Sequence, residues 1–268
     1  MQFSMSKKTY KSRLAFYKNR DLIKFHQFLS GLLNLHKSDK VLDVGCGHGH
    51  TLMYITRQLG IHGRAVGLDI GEPLLAVAER VLRKEMSAGK LELIKGDASK
   101  RLPFPNASFE KIVSHNVIEC VPDKIHFINE CFRILKRGGL LVLSHDDFDT
   151  QIYNSSFPAL SRELVHNYCD IKQKGMECAD GMIGRKLHGL FRRSKFKKSV
   201  PQTYTITNTS FKPLEYGYDS AQFIAYIAKE SGKIDPKDIQ EWLADLKKKD
   251  RSGEYFYSLN TYLISAVK

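Results

Sequence analysis

Hydrophobic and polar positions follow two different periods along the chain, and the switches between them predict an α/β fold. Segments of helical spacing such as 50–60 and 122–135 alternate with five short β-rich runs, at 40–44, 65–69, 91–95, 110–115 and 140–144. Strands and helices that alternate over short connections form a mostly parallel sheet covered by helices. We therefore expect a doubly wound, mostly parallel sheet of seven strands, completed by an antiparallel C-terminal hairpin.

The alternation stops near residue 150, where longer helical segments and a basic stretch begin. With 268 residues, of which 42% are hydrophobic and 26% are charged, the chain has the composition of one globular domain rather than of a disordered or coiled-coil protein. We predict a single domain, 1–268. Its expected parts are an N-terminal helical arm, a ligand-binding core, two helical lid insertions and two C-terminal strands: 1–37, 38–150, 151–199 with 213–253, and 200–212 with 254–268.

The net charge of +13 is concentrated in two segments. Residues 1–40 carry nine basic and two acidic side chains, and residues 181–212 carry eight basic and no acidic ones, whereas the rest of the chain is nearly neutral. A basic excess is typical of proteins that bind nucleic acid or touch an anionic membrane surface. Both partners therefore remain open for these two segments, the membrane as a peripheral contact.

The five cysteines are scattered, and no two of them have CxxC spacing. We therefore expect free thiols of a reducing compartment rather than a disulfide framework or a zinc site. No apolar run approaches the roughly 18 residues that span a bilayer. The N-terminus lacks the apolar segment of a secretory signal, although its basic, serine-containing composition leaves a transit peptide open. These patterns predict a cytoplasmic protein with no metal site.

A glycine-rich loop follows the first predicted strand in the sequence VLDVGCGHG, at 41–49. Gly45, Gly47 and Gly49 allow sharp turns and a close approach of the backbone to a ligand. In an open α/β sheet, ligands bind beyond the carboxyl ends of the strands. The G-x-G-x-G spacing differs from the G-x-G-x-x-G of dinucleotide sites, so the loop indicates a nucleoside ligand only together with other features.

Carboxylates follow the next two predicted strands. Asp69 ends the run VGLD, where it can accept hydrogen bonds from both ribose hydroxyls of an adenosine, an arrangement that would equally suit NAD. Asp97 follows the third strand in GDA, where it can accept from the exocyclic amine of adenine. Each residue alone is also typical of a turn or a helix cap. Their occurrence at successive strand ends favours one extended ligand.

Five motifs of the chain, taken in order, resemble those of class I S-adenosylmethionine-dependent methyltransferases. They are VLDVGCGHG, VGLDI, GDA, FEKIVSHNVIECVPD and RILKRGGLLVLSHDD. The resemblance covers residues 38–150 with the usual spacings. The C-terminal part, in which SLNTYLISAVK follows a helical insertion, is similar to the small-molecule branch near the ubiquinone and sterol methyltransferases. The resemblance implies a Rossmann-like fold, S-adenosyl-L-methionine as cofactor and S-adenosyl-L-homocysteine as product.

The resemblance also assigns cofactor contacts to positions of this chain. It implies that Asp69 binds the ribose, that Ile70 packs on the adenine, and that the glycine loop passes under the methionine end. The implied cofactor-binding set is Asp43, Gly45, Cys46, Gly47, Asp69, Ile70, Asp97, Ala98, His115, Asn116 and Arg20. Tyr17 is an alternative to Arg20 as the contact of the cofactor carboxylate.

The segment after the fifth predicted strand borders the acceptor pocket in proteins of this kind, and it carries the candidate catalytic residues His145, Asp146 and Asp147. A general base is needed only where the acceptor must lose a proton. The carboxylates are equally suited to capping the helix that follows. Gly184 and Arg185 lie in a G-R-x-L motif that is expected to hold a lid to the body.

The function expected from these motifs is methyl transfer from S-adenosylmethionine to an oxygen, nitrogen or carbon atom of a small molecule by in-line displacement. Methylation of RNA or another nucleic acid is an alternative, because two segments are basic. Against it, the fourth strand ends in Ser114-His115-Asn116-Val117 rather than in the Asn/Asp-Pro-Pro-Tyr/Phe of exocyclic-amine enzymes. A non-catalytic module that binds S-adenosylmethionine is a second alternative.

Overall fold

The computed structural model of the chain describes residues 17–171 and 177–268. Its elements, in chain order, are α1 Arg20–Leu32, β1 Lys40–Val44, α2 His50–Gln58, β2 Arg64–Asp69, α3 Glu72–Val81, α4 Arg83–Ser87, β3 Leu91–Lys95, β4 Phe109–His115, α5 Lys124–Ile134, β5 Leu135–Asp146, β6 Ile152–Tyr153, α6 Pro158–Asp170, α7 Ile183–Arg192, β7 Lys198–Asn208, α8 Tyr216–Ser231, α9 Pro236–Arg251 and β8 Tyr257–Val267. Single 3-10 turns follow β4 and β5.

The strands form one sheet, and the first five, in the order β3-β2-β1-β4-β5, run parallel. β8 is antiparallel to β5, and β7 is antiparallel to β8 along its whole length. This confirms the predicted Rossmann-like α/β architecture with antiparallel strands at the C-terminus. The described residues form eight strands rather than the predicted seven, because Ile152–Tyr153 adds a short strand that pairs with β8.

Helices cover both faces of the sheet. On one face, α5 and α7 bury side chains such as Phe127 and Phe191 against the strands. On the other face, α1 and α2 bury Phe25 and Leu52 against β1 and β4. Asn19 is the N-cap residue of α1, and its side chain accepts hydrogen bonds from the backbone N–H groups of Asp21 and Leu22. The first 16 residues of the predicted N-terminal arm lie outside the described residues.

A separate apolar cluster joins α6, α8 and α9 beside the C-terminal strands. Its centre is Trp242, which is fully buried and donates a hydrogen bond from its indole N–H to Oγ of Ser161 over 2.8 Å. The lid helices therefore have a core of their own. Among the described residues, no helix has both the length and the apolar character needed to cross a membrane.

Candidate cofactor and acceptor site

The glycine loop at the end of β1 is tightly confined. Gly45 has φ +74°, and its N–H donates to the carbonyl oxygen of Leu68 in β2 over 2.6 Å. A Cβ atom added at Gly45 would lie 2.0 Å from a methyl carbon of Val117, the second residue after β4. The loop therefore needs glycine here both for its left-handed backbone and for its close approach to a neighbouring segment.

Asp69 at the end of β2 is oriented by two backbone amides. Its Oδ2 accepts from the N–H of Gly47 over 2.8 Å, and its Oδ1 accepts from the N–H of Gly71 over 2.7 Å. Each carboxylate oxygen has a second lone pair available for another donor. The residue thus links the glycine loop to β2 and retains acceptors for a pair of ligand hydroxyls, which fits the ribose role that the sequence assigns to it.

Two further residues of the predicted set, Asp43 and Cys46, belong to the run that forms this loop, and both are buried. Asp43 is 3% exposed, and burial together with the charge of Asp69 raises its pKa to about 8. Burial, Asp43 and Asp69 also raise the pKa of the Cys46 thiol. Cys46 therefore stays a neutral thiol at physiological pH, which favours its interpretation as a small packing residue over a nucleophile.

The residues assigned to the adenine end follow the neighbouring strands β2 and β3. Ile70 is 62% exposed and offers an apolar surface beside Asp69. Asp97 uses Oδ1 to accept from the N–H of Ser99 over 2.8 Å, so this oxygen stabilises its own turn. Ala98 packs partly buried against the sheet core. These positions are compatible with a flat ring lying over the strand ends.

His115 and Asn116, assigned to the methionine end, are both held by β5. Nδ1 of His115 lies 3.0 Å from Oγ of Ser144, and burial, reinforced by His145 and opposed by Asp146, lowers the pKa of His115 to about 4. Asn116 exchanges two hydrogen bonds of 2.9 Å with Asp146, one to its carboxylate and one from its backbone N–H. The cofactor edge and the end of β5 are therefore one connected network.

Tyr17 and Arg20, the alternatives for the cofactor carboxylate, take different places. Tyr17 packs against His50, with ring centroids 4.0 Å apart, and its hydroxyl donates to the carbonyl oxygen of His48 in the glycine loop. Arg20 is exposed, and its backbone N–H donates to the carbonyl oxygen of Leu214. The structure thus brings Tyr17, rather than the preferred Arg20, against the glycine loop.

Asp147, one of the three candidate catalytic residues, is fully buried in an ion pair. Its carboxylate accepts hydrogen bonds from the backbone N–H, Nε and Nη2 of Arg185, over 3.0, 2.7 and 2.6 Å. Arg185 also donates to Asp149 over 2.8 Å. A Cβ atom added to Gly184 would lie 2.9 Å from Cβ of Asp147. The G-R-x-L motif therefore fastens α7, which packs on the sheet, to the end of β5.

Asp146 is also buried, at 2% exposure, and its carboxylate is occupied by the protein. Oδ2 accepts from the side-chain amide of Asn116 over 2.9 Å and from the hydroxyl of Tyr216 over 3.0 Å, and Oδ1 accepts from the hydroxyl of Thr261. Tyr216 begins the lid helix α8. Asp146 therefore joins β4, β5, β8 and the lid, which is a positioning role in the described geometry.

His145 is fully buried with one ring nitrogen engaged and one without a partner. Nδ1 lies 2.7 Å from the backbone carbonyl oxygen of Asp146, so this nitrogen carries the proton and donates. Nε2 has no hydrogen-bond partner and lies 3.6 Å from Oε1 of Glu119. Burial lowers the pKa of His145, but Glu119 outweighs it and the net change is upward. Glu119 lies within the run FEKIVSHNVIECVPD, but the resemblance assigns no function to that position, so Glu119 is absent from the predicted site residues.

Aromatic side chains form a row that begins at His145. Phe148 lies edge-to-face against His145 with ring centroids 5.9 Å apart, Tyr168 against Phe148 at 5.1 Å, and Phe223 against Tyr168 at 5.7 Å. Phe223 is 43% exposed, so the row leads from the buried imidazole to the surface. It provides an apolar wall beside the acidic groups at the end of β5.

A sheet of five parallel strands that is extended by the antiparallel strands β8 and β7, and that presents a glycine loop after β1 and an amide-oriented carboxylate after β2, has the fold of class I S-adenosylmethionine-dependent methyltransferases. The residues at the cofactor edge fit that cofactor, since Asp69 keeps free acceptors and Nε2 of His50 is buried without a hydrogen-bond partner. Residues 35–231 match the methyltransferase domain family, and the chain belongs to that family.

Comparison with individual proteins agrees with this assignment. The demethylmenaquinone methyltransferase of Geobacillus kaustophilus is 32% identical over 193 residues, which cover 68% of this chain and 81% of that protein. The chain spans about half the length of other curated relatives, such as the demethylmenaquinone methyltransferase of Listeria welshimeri, to which it is 34% identical over 119 residues, or 44% of this chain and 50% of that protein. The YcgJ protein of Bacillus subtilis shares the fold, with a TM-score of 0.59 at 19% identity over 91% of this chain and 98% of that one.

Proposed function

We propose that the protein transfers a methyl group from S-adenosylmethionine to a small molecule that carries a hydroxylated aromatic ring. The bound cofactor supplies an electrophilic methyl group on a sulfonium with a neutral leaving group, so alignment of the acceptor can account for most of the rate. The observation that carries the proposal is the hydrogen-bonded connection from Asn116 at the cofactor edge through Asp146 to His145, where the aromatic wall begins.

The aromatic wall supports a flat, apolar acceptor. Phe148, Tyr168 and Phe223 present successive ring edges and faces from the buried interior to the surface, and aromatic groups favour such offset or edge-to-face packing. The relative from Geobacillus kaustophilus is named for demethylmenaquinone, whose quinone ring becomes a dihydroxylated aromatic ring when it is reduced to the quinol. In this arrangement the wall orients the ring, and the polar groups beside it meet the ring's hydroxyl.

Glu119 is the group that we assign to accept the acceptor's proton. The carboxylates of Asp146 and Asp147 are already occupied by donors from the protein, whereas the side chain of Glu119 is 12% exposed and faces Nε2 of His145. In the proposal Glu119 receives the hydroxyl proton and passes it to His145, which must be neutral to take it. Because the pKa of His145 is raised, the rate should rise as the pH increases through that pKa.

The alternative of nucleic-acid methylation receives less support from the basic segment 181–212. Arg185 pairs with Asp147 and Asp149, and Lys186 lies 2.6 Å from a carboxylate oxygen of Asp180. Two of the eight basic side chains of this segment are therefore neutralised within the fold rather than being held for a phosphate backbone.

The direct test is transfer of labelled methyl from S-adenosylmethionine to defined acceptors. We expect incorporation into a demethylated naphthoquinol and none into structured RNA at matched concentrations. Binding of S-adenosylhomocysteine, measured by isothermal titration with NAD as control, should accompany it. Labelled RNA without labelled quinol would contradict the proposal, as would binding of NAD in place of S-adenosylhomocysteine.

The proton acceptor is tested by Glu119→Gln, with Glu163→Gln as the matched control. Glu163 is an exposed carboxylate on α6. Loss of general-base assistance should lower kcat by about 10²-fold or more and should flatten its rise with pH, while the Kd for S-adenosylhomocysteine stays unchanged. An unaltered pH profile in Glu119→Gln would show that the proton leaves by another route.

A further inference from the structure

Four histidine rings meet at the cofactor edge of the sheet. His26 in α1 stacks on His50 at the start of α2, with centroids 5.1 Å apart, and lies 5.7 Å from His115 at the end of β4. His48 in the glycine loop lies 6.1 Å from His50. We call His26, His48, His50 and His115 the histidine cluster. The methyl-transfer chemistry proposed above uses none of these rings.

Strand order sets which end of the cofactor meets the histidine cluster. Asp69, the ribose contact, follows β2, the glycine loop follows β1, and His115 follows β4. Because the strands lie side by side in the order β2-β1-β4, a cofactor anchored at Asp69 and crossing the glycine loop directs its amino-acid end toward β4 and α1. That end carries a carboxylate, and Arg20, the cation that the sequence assigns to it, is exposed elsewhere.

The rings of the cluster differ in their free hydrogen-bonding capacity. Nδ1 of His26 lies 3.0 Å from Oγ1 of Thr51, and Nδ1 of His115 lies 3.0 Å from Oγ of Ser144. Nε2 of His50, in contrast, is buried and has no hydrogen-bond partner. A buried polar atom without a partner carries a free-energy penalty that a ligand can relieve.

We propose that Nε2 of His50 binds the carboxylate of the cofactor's amino-acid end and takes up a proton from solvent as it does so. This inference rests on the cofactor binding of the proposed function and adds a residue to it. The neutral imidazole gains one proton to become imidazolium, which donates Nε2–H to the carboxylate. His26, which stacks on the ring, and His115 stay neutral, and Tyr17 also packs against the ring of His50.

The groups around His50 determine how cofactor binding depends on pH. Burial, reinforced by His48 and His115, lowers the pKa of His50 to about 4 in the free protein, so the ring is neutral at physiological pH. His26 is also held neutral, because burial and its neighbours His115 and His50 lower its pKa. A carboxylate within hydrogen-bond distance raises such a pKa by about 1 to 3 units. Binding therefore strengthens as the pH falls, over the range from about 8 to 5.5.

The test is isothermal titration of S-adenosylhomocysteine in buffers of different ionisation enthalpy, which counts protons taken up on binding. Asp43 and the ligand's amine can also exchange protons, so the wild-type count is compared with that of His50→Gln. We expect the wild type to take up about 0.2 to 0.9 protons more than the variant at pH 5.5 and less than about 0.1 more at pH 8. His62→Gln, an exposed histidine before β2, should match the wild type.

The outcome of these titrations distinguishes a failure of the inference about His50 from a failure of the proposed function. A difference below about 0.2 protons at pH 5.5 between wild type and a folded His50→Gln would overturn the inference, even if the ligand binds. Absence of binding by the wild type would instead overturn the proposed function. Should His50→Gln fail to fold, ¹⁵N-histidine spectra of the wild type at pH 5.5 give the same answer: one ring must change from neutral to protonated on binding, and no change in any ring would contradict the inference.

Discussion

The sequence places Asp147 among the catalytic candidates, whereas its geometry assigns it a structural role, and Asp147→Asn distinguishes the two. The buried carboxylate receives three hydrogen bonds from Arg185, two of them from the charged guanidinium. The asparagine side chain keeps the volume and one oxygen, but it loses the charge and turns an N–H₂ group toward the guanidinium. We expect α7 to be held less firmly against the end of β5, with cofactor binding retained.

The size of the effect follows from the contacts. A hydrogen bond to a charged group contributes about 1.5–3 kcal/mol, so losing both guanidinium bonds sets an upper limit of roughly 3–6 kcal/mol. The side chain of Arg185 is 41% exposed, and water can solvate it once the pair is broken, which reduces the cost. We therefore expect a loss of about 2–3 kcal/mol in the free energy of unfolding. For a chain of this size, that corresponds to a fall in Tm of roughly 5–10 °C.

Thermal unfolding can be followed by the fluorescence of Trp242, the only tryptophan of the chain, which is fully buried. Asp149→Asn is the matched control, because Asp149 is partly exposed and makes one 2.8 Å bond to the same Arg185. Its Tm should fall by less than about 3 °C, as expected for a surface pair. The reasoning would be refuted if Asp147→Asn kept its Tm within about 2 °C of the wild type and lost methyl transfer, since Asp147 would then act in the chemistry.

Three further predictions concern the cofactor edge. Asp69→Ala should weaken S-adenosylhomocysteine binding by about 1.5–3 kcal/mol, measured by isothermal titration; an unchanged Kd would exclude a ribose contact. Gly45→Ala should abolish cofactor binding, because the new methyl would lie 2.0 Å from Val117 and φ is +74°; wild-type affinity would contradict the confined loop. Burial raises the pKa of Asp43 from 3.8 to about 8, so between those values the folded protein binds a proton that the unfolded chain lacks. Stability should therefore fall as pH rises from about 4 to 8, by up to about 1.4 kcal/mol per unit, and Asp43→Asn should flatten this slope in denaturant titrations.

The cofactor edge could be predicted from the sequence because local patterns build it. Gly45 and Asp69 stand at the ends of strands that the alternation of hydrophobic positions already marks, and parallel strands bring their carboxyl ends to one edge. The backbone geometry of the loop and the two amides that orient Asp69 follow from those placements. Arg20 shows the limit, since a helix can be predicted without its orientation, and the face that carries this residue turns out to be exposed.

The acceptor side could not be predicted in the same way, because its members are distant in sequence and meet only when the sheet and the lid are assembled. Asp146 belongs to β5, but its partners Asn116, Tyr216 and Thr261 come from β4, α8 and β8. A carboxylate after a strand is equally consistent with a base, a cap or a network centre, and only these contacts distinguish them. His145 likewise gains the role proposed for it from Glu119, a residue to which the sequence motifs assign no function.

The distribution of charge also bears on how the protein recognises its cofactor. The net charge of +13 suggests an anionic partner, but Arg185 and Lys186 of the basic segment 181–212 neutralise acidic groups of the fold. At the cofactor edge, burial keeps His26, His50 and His115 neutral in the free protein, and we propose that His50 becomes cationic only when a carboxylate binds. Salt weakens the attraction of an anionic ligand to permanently charged Lys and Arg side chains. Rising pH instead weakens binding by a histidine that is protonated only when the ligand binds. Cofactor affinity should therefore depend on pH more than on ionic strength, and the opposite result would assign its recognition to the basic surface.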